Sequence, residues 1–229
     1  NMPGLNFDTI WQTNEDGYPS LRVFSTDAPS VWDKSVNKNF NGAGTADSPY
    51  LIETAAQLAG LVTSGKAATT GKYYRMTRDM DVSAGAWYMS TGDGETNVFN
   101  GTFDGAGHIV SGINISTGEG GWGTGCGLFP AISNDTHIKS VGIKNMDIDR
   151  WGWASSNGAI FGFAELSNAY DPVDGDQSTK YPTIEYCFAD ETATRVKATY
   201  TGGIGGTVCG SGFIRISNCF FTGNTTGGY

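Results

Sequence analysis

The chain has 229 residues with 23 acidic against 14 basic side chains, a net charge of −9. Neutralisation of phosphates by Lys and Arg therefore does not drive its binding, and nucleic acid drops out as a partner. The 34 Gly against 7 Pro, the 16% charged and the 12% aromatic residues describe an ordered, turn-rich and strand-rich protein rather than an acidic disordered tail. No run reaches the roughly 18 consecutive apolar residues of a membrane-spanning helix. Asn1-Met2-Pro3-Gly4-Leu5 lacks the charged and apolar regions of a signal peptide. The expectation is a piece of a longer precursor, with the parent polypeptide continuing beyond both ends.

In chain order, Ser48-Pro49-Tyr50-Leu51-Ile52 reads as a turn into a short strand. The only convincing helix follows near 54–62: Thr54 is the expected N-cap, and Leu58, Leu61 and Val62 line one face. From Lys72, KYYRMTRDMDV places Tyr73, Met76, Met80 and Val82 as the apolar side of a first strand region. Then a repeat begins. GTFDGAGHIVSGINI from Gly101 is followed by GLFPAI at Gly127, GAIFGFA at Gly158 and GGIGGTV at Gly202. Each of these three precedes a second strand-like run: IKSVGIKNMDI, TIEYCFAD and IRISNCFFTG. The period is roughly 30 residues, stretched once by an insertion from Ser167 to Pro182.

Short, interrupted apolar runs such as Ile138, Val141, Ile143, Met146 and Ile148 lack a helical stripe, and glycine recurs where tight corners require it. The expected fold is all-β, a right-handed single-stranded parallel β-helix (β-solenoid) over 42–229 with a short N-terminal capping helix. The closing TGGY at Thr226 begins a further unit cut off at the C-terminus. In such a stack equivalent residues lie one above another, so Cys187 is expected over Cys219 and Ile184 over Ile214. With no C-x-x-C pair and only His108 and His137 beside the four cysteines, zinc is poorly supported. The stacked thiols are expected to be buried and free.

GTADSPYLI from Gly44, AAQLAGLV, RDMDV from Arg78, Trp87 and FNGTFDGAGHIV from Phe99, followed by the Gly-rich units, resemble bacterial secreted and cell-surface proteins with GLUG-motif repeats. The likeness covers about Gly42 to Gly223 and departs at the repeat glycines, which read GLFP, AIFG and GIGG. FDTIWQTNEDGYPSLRVF from Phe7 resembles the segment that closes such regions. Residues 1–24 are then the closing strand of a preceding module or a cap, and 25–41 a polar linker. The resemblance implies an extracellular or cell-surface location, an adhesin-like or spacer role, or an accessory region of a large surface protease.

Parallel β-helices also carry polysaccharide lyases and glycoside hydrolases, which need clustered carboxylates on one outward face. Asp79 with Asp81 and Asp147 with Asp149 share strand faces, but hydrogen bonding to turns or plain solvation explains them as well, and Asp104 reads as an Asx-turn residue. No catalytic residue is therefore assigned. No cofactor is expected, although structural calcium is compatible with the acidic turns TGDGET at Thr91 and DGDQ at Asp174. The strongest binding signal is aromatic. Trp122, Trp151 and Trp153 sit in Gly-flanked segments, and Tyr170 lies in the insertion, where flat rings suit a glycan or an extracellular host protein. The competing reading folds these tryptophans inward beneath the loops.

Overall fold

The computed structural model describes residues 28–90, 97–115, 124–149, 155–166, 181–190, 200–210 and 212–225, with the backbone of Trp11–Thr13, Pro19–Leu21, Arg195–Ala198 and 226–227. This part is all-β apart from two helices, Ala55–Val62 and Lys66–Thr69. Its sheets are parallel, except for the antiparallel pair Trp11–Thr13 and Pro19–Leu21.

One six-stranded sheet runs in the order Arg215–Ser217, Thr183–Glu185, His137–Lys139, Thr102–Asp104, Tyr73–Met76, Tyr50–Ile52. A second places Phe220–Phe221 beside Phe188–Ala189, Gly142–Lys144, Ile109–Ser111, Met80–Asp81 and Ser30–Val31. The third joins Gly205–Gly210, Phe161–Leu166, Phe129–Ile132 and Val98–Phe99. Two smaller sheets complete the set, one from Asn114–Ile115 to Asn224–Gly227 and one from Gly125–Cys126 to Tyr200–Thr201. From Phe129 onward the chain visits these sheets in a fixed order and returns one layer higher, so each repeat adds one strand to each.

In the repeated strands the central side chain points inward, because alternate residues face opposite sides. Phe103, Ile138 and Ile184 are aligned and fully buried, as are Val110, Ile143 and Ala189. Ile184 pairs with Ile216, not with the expected Ile214. The reason is the shared spacing to the corner cysteine: Ile184 precedes Cys187 as Ile216 precedes Cys219, whereas Ile214 lies before the strand and packs on the core from there. Tyr73 also departs from expectation, since it faces outward and Tyr74 fills the core.

The helix Ala55–Val62 starts as expected at Thr54, whose hydroxyl accepts from the Gln57 N–H while the Gln57 side chain accepts from the Thr54 N–H. This reciprocal pair satisfies donors that the first turn cannot. Leu58, Leu61 and Val62 join the cluster of Ile52, Tyr74 and Met76 beside the edge strand Tyr50–Ile52. The helix is covered on its other side as well. The stretch 25–41, expected as a linker, is described from residue 28, where Ser30–Val31 extends the second sheet, Trp32 is buried, and Asn37 and Asn39 bond to the helix. The approach is so close that a Cβ on Gly60 would fall 2.0 Å from the Asn37 carbonyl oxygen.

In the last described layer Ile216, aligned with the buried Ile184, is 46% exposed, and the outward Phe220, aligned with the half-buried Phe188, is 56% exposed.

Ile143→Asp is expected to unfold the chain, because a ladder position at zero exposure has no partner for a charge, whereas Ile143→Val costs about 1 kcal/mol. Urea denaturation followed by circular dichroism measures both. At the closed end, Gly60→Ala is expected to lower the midpoint more than Thr54→Ala, whose lost cap is worth about 1 kcal/mol. A neutral Gly60→Ala would show that the Asn37 segment is not held against the helix.

A candidate ligand-binding groove at a sheet corner

Between the first two six-stranded sheets the backbone makes a sharp corner in every layer. Ala106, Ser140, Tyr186 and Asn218 all occupy left-handed conformations there, with φ of 52°, 53°, 54° and 52°. Backbone bonds tie the layers together at this bend: Ser140 donates to Glu185 and Tyr186 to Ser217. Asn tolerates the left-handed region, but a tyrosine held there stores strain of order 1 kcal/mol or more. That strain fixes Tyr186 as an outward-pointing side chain, 59% exposed.

Beside the corner lies an open hollow of about 510 Å³ lined among others by Arg75, Asp104, Tyr186, Phe188 and Phe220. Its apolar wall is an outward ladder. Gly142, Phe188 and Phe220 are in register, and a Cβ on Gly142 would meet the Phe188 ring at 2.3 Å, so glycine makes room for the ring. Phe188 and Phe220 stack with centroids 5.3 Å apart and planes 7° from parallel. The polar wall comes from the neighbouring sheet, where Arg75, Asp104, Lys139 and Glu185 occupy successive layers. Asp104 lies 3.9 Å from Arg75 and 3.7 Å from Lys139. These partly exposed contacts set orientation more than stability.

Asp104 is the Asx-turn residue the sequence implies, accepting from the Ala106 N–H at 2.8 Å. Asp79 holds the ring of His108 and the N–H of Ile109, both at 3.0 Å, and Asp81 accepts from the Ser83 N–H. Asp147 and Asp149 stand in register with Arg195 and Lys197 of the next layer. Asp79, Asp81 and Asp104 are thus each accounted for structurally. A further polar pair lies on the outward face of the first sheet, His137 Nε2 2.7 Å from Glu185 Oε1.

Trp122, Trp151, Trp153 and Tyr170 lie outside the described residues, as do both acidic turns considered for calcium. Trp32 and Trp87 are buried against each other, 5.4 Å between ring centroids, and Trp87 donates its ring N–H to the Leu128 carbonyl. Tyr186, Phe188, Phe220 and Arg75 are groove residues that the sequence reading did not single out. The signal was present: Phe188 and Phe220 each follow one of the two aligned cysteines.

Cys187, at the back of the groove, and Cys219 are free thiols stacked in adjacent layers as expected, Cys187 buried and Cys219 partly exposed. The neighbouring Cys219 thiol raises Cys187 above its ordinary range, with burial adding to the effect. The same neighbour relation, with a contribution from the Cys187 N–H at 3.4 Å, brings Cys219 down to about 7. Among the described residues no group of three His, Cys, Asp or Glu side chains could hold a metal ion.

No family model and no solved structure matches the chain. A stretch of 112 residues is 32% identical to halomucin of Haloquadratum walsbyi, 48% of this chain but 1% of that protein. Over 138 residues it is 28% identical to a putative Gly-rich membrane protein of Evansella cellulosilytica, 58% of this chain and 15% of that protein. The chain thus spans a small fraction of the curated relatives it matches.

In a Cys209→Ser background, the rate of Cys219 alkylation is expected to rise with pH and reach half its plateau near 7, since the thiolate is the reactive form. Mass-spectrometric peptide mapping at a series of pH values reads this, and a midpoint in the ordinary thiol range would refute the lowering of Cys219 by its Cys187 neighbour.

Proposed function

We propose that this chain is a non-catalytic, extracellular or cell-surface module of a longer bacterial polypeptide, a right-handed parallel β-helix that displays a glycan-binding groove. The observation that carries the reading is the outward aromatic ladder beside a polar wall: Tyr186 and Phe220 expose ring surface, and Arg75 and Asp104 stand across the hollow. A pyranose ring has an apolar face and a polar edge, which this pairing of walls suits.

The β-helix reading is supported by the fixed order in which the chain visits its sheets and by the parallel in-register pairing in each. A layered rod of this kind grows by repetition of one unit. The location is supported by the printed name of one relative, a membrane protein, and by the resemblance to surface proteins with GLUG repeats. Among the described residues no helix is long and apolar enough to cross a membrane.

A second reading, a polysaccharide-degrading enzyme, is favoured by one observation. His137 and Glu185 form a 2.7 Å pair on an outward face that also carries Lys139 and Asp104. A general base with cationic neighbours is the equipment such a reaction needs. Depolymerisation of a bound glycan that stops in His137→Ala would establish it.

The binding reading is tested on a panel of immobilised glycans and extracellular-matrix proteins with four proteins: wild type, Tyr186→Gly, Phe220→Ala and Trp151→Ala/Trp153→Ala. Tyr186→Gly relieves the left-handed strain and so keeps the fold. Loss of a stacked ring is expected to weaken glycan retention about tenfold. Retention abolished only in the double tryptophan variant would move the site to those loops, and no retention on any ligand would leave a spacer without a ligand of its own.

A further inference from the structure

The two stacked thiols have a geometry that neither the fold nor the groove requires. Cys187 Sγ lies 3.2 Å from the Glu185 carbonyl oxygen and 3.9 Å from that of Ile138, one layer below. Cys219 Sγ repeats the arrangement, 3.2 Å from the Ser217 oxygen and 3.7 Å from that of Ile184, again one layer below. The two sulfurs are thus held alike against successive layers, which puts them about one strand spacing apart, roughly 4.8 Å.

That separation is far from a disulfide, which needs the sulfurs about 2.05 Å apart with Cβ vectors turned towards each other. It lies near the span of two metal–thiolate bonds end to end, roughly 4.6 Å when the zinc–thiolate length of about 2.3 Å is taken as the guide. We propose that Cys187 and Cys219 form a linear two-coordinate site for a soft monovalent d10 cation, Cu+ or Ag+. Thiolates select such ions, whereas zinc asks for four ligands, and no third His, Cys, Asp or Glu joins the pair among the described residues.

Binding is coordination without electron transfer: the cation and two thiols give a bis-thiolate complex of net charge −1 and release two protons to solvent. The fold already aims donors at that charge. The Cys187 N–H points at Cys219 Sγ at 3.4 Å, and the Val141 N–H at Cys187 Sγ. Cys187 is buried and Cys219 partly exposed. The site does not depend on the glycan reading.

The test is an anaerobic titration of the reduced chain with Cu+ against bicinchoninate, a coloured Cu+ chelator, alongside X-ray absorption of the loaded protein. The chain is expected to withdraw one equivalent from the chelator, with two sulfur neighbours and no nitrogen or oxygen. Cys219→Ser, checked for retained fold by circular dichroism, is expected to lose that equivalent, and Cys209→Ser, at an exposed thiol outside the pair, to keep it. An equivalent that survives Cys219→Ser, nitrogen or oxygen in the coordination sphere, or a Cys187–Cys219 disulfide formed on exposure to air would each overturn the proposal.

Discussion

Parallel, in-register pairing between successive layers is the constraint from which the other features follow. It gives every position the same environment one layer up, so whatever faces inward must tolerate its own kind above and below. Phe103, Ile138 and Ile184 do so as a dry apolar column. The outward columns face the opposite difficulty, because like charges at strand spacing repel. Arg75, Asp104, Lys139 and Glu185 resolve it by alternating in sign.

Repetition also requires something at the ends. At one end the helix Ala55–Val62 and the segment around Trp32 to Phe40 close the core, and the Asn41–Leu51 bridge covers an edge strand that would otherwise offer unpaired backbone groups. A second hollow of about 450 Å³ lies there beside Phe40, Tyr50 and Tyr74, and burial with Tyr50 nearby pushes Tyr74 up to about 12, so its hydroxyl stays neutral. In the last described layer Ile216, aligned with the buried column, is partly exposed.

The corner is where regularity becomes useful chemically. In four successive layers a left-handed residue turns the chain between two sheets, and this one conformational device places Ser140, Tyr186 and Asn218 along a single line. Gly142 contributes by absence of a side chain, letting Phe188 lie flat against the backbone and Phe220 against Phe188. The thiol column lies one residue before the aromatic column in sequence and on the opposite side of the strand, facing inward. The same register therefore builds a groove on one side of the backbone and a sulfur pair on the other.

Much of this was legible in the chain itself. The spacing of IKSVGI, TIEYCF and IRISNCF determined the strands, their inward residues and the stacking of Cys187 on Cys219. Thr54 with Gln57 determined where the helix starts, because capping is local chemistry. The same strand spacing also puts Ile184 on Ile216, so the expected Ile214 was a two-residue misalignment of a step the chain already carries. Tertiary structure alone decided the rest. The packing of Ser30 to Asn41 was illegible because its polar residues bond to a helix distant in sequence, as Asn39 does with Gln57. The groove was hidden for the same physical reason: Arg75, Tyr186 and Phe220 are far apart along the chain, and only the stacking of layers places them around one hollow.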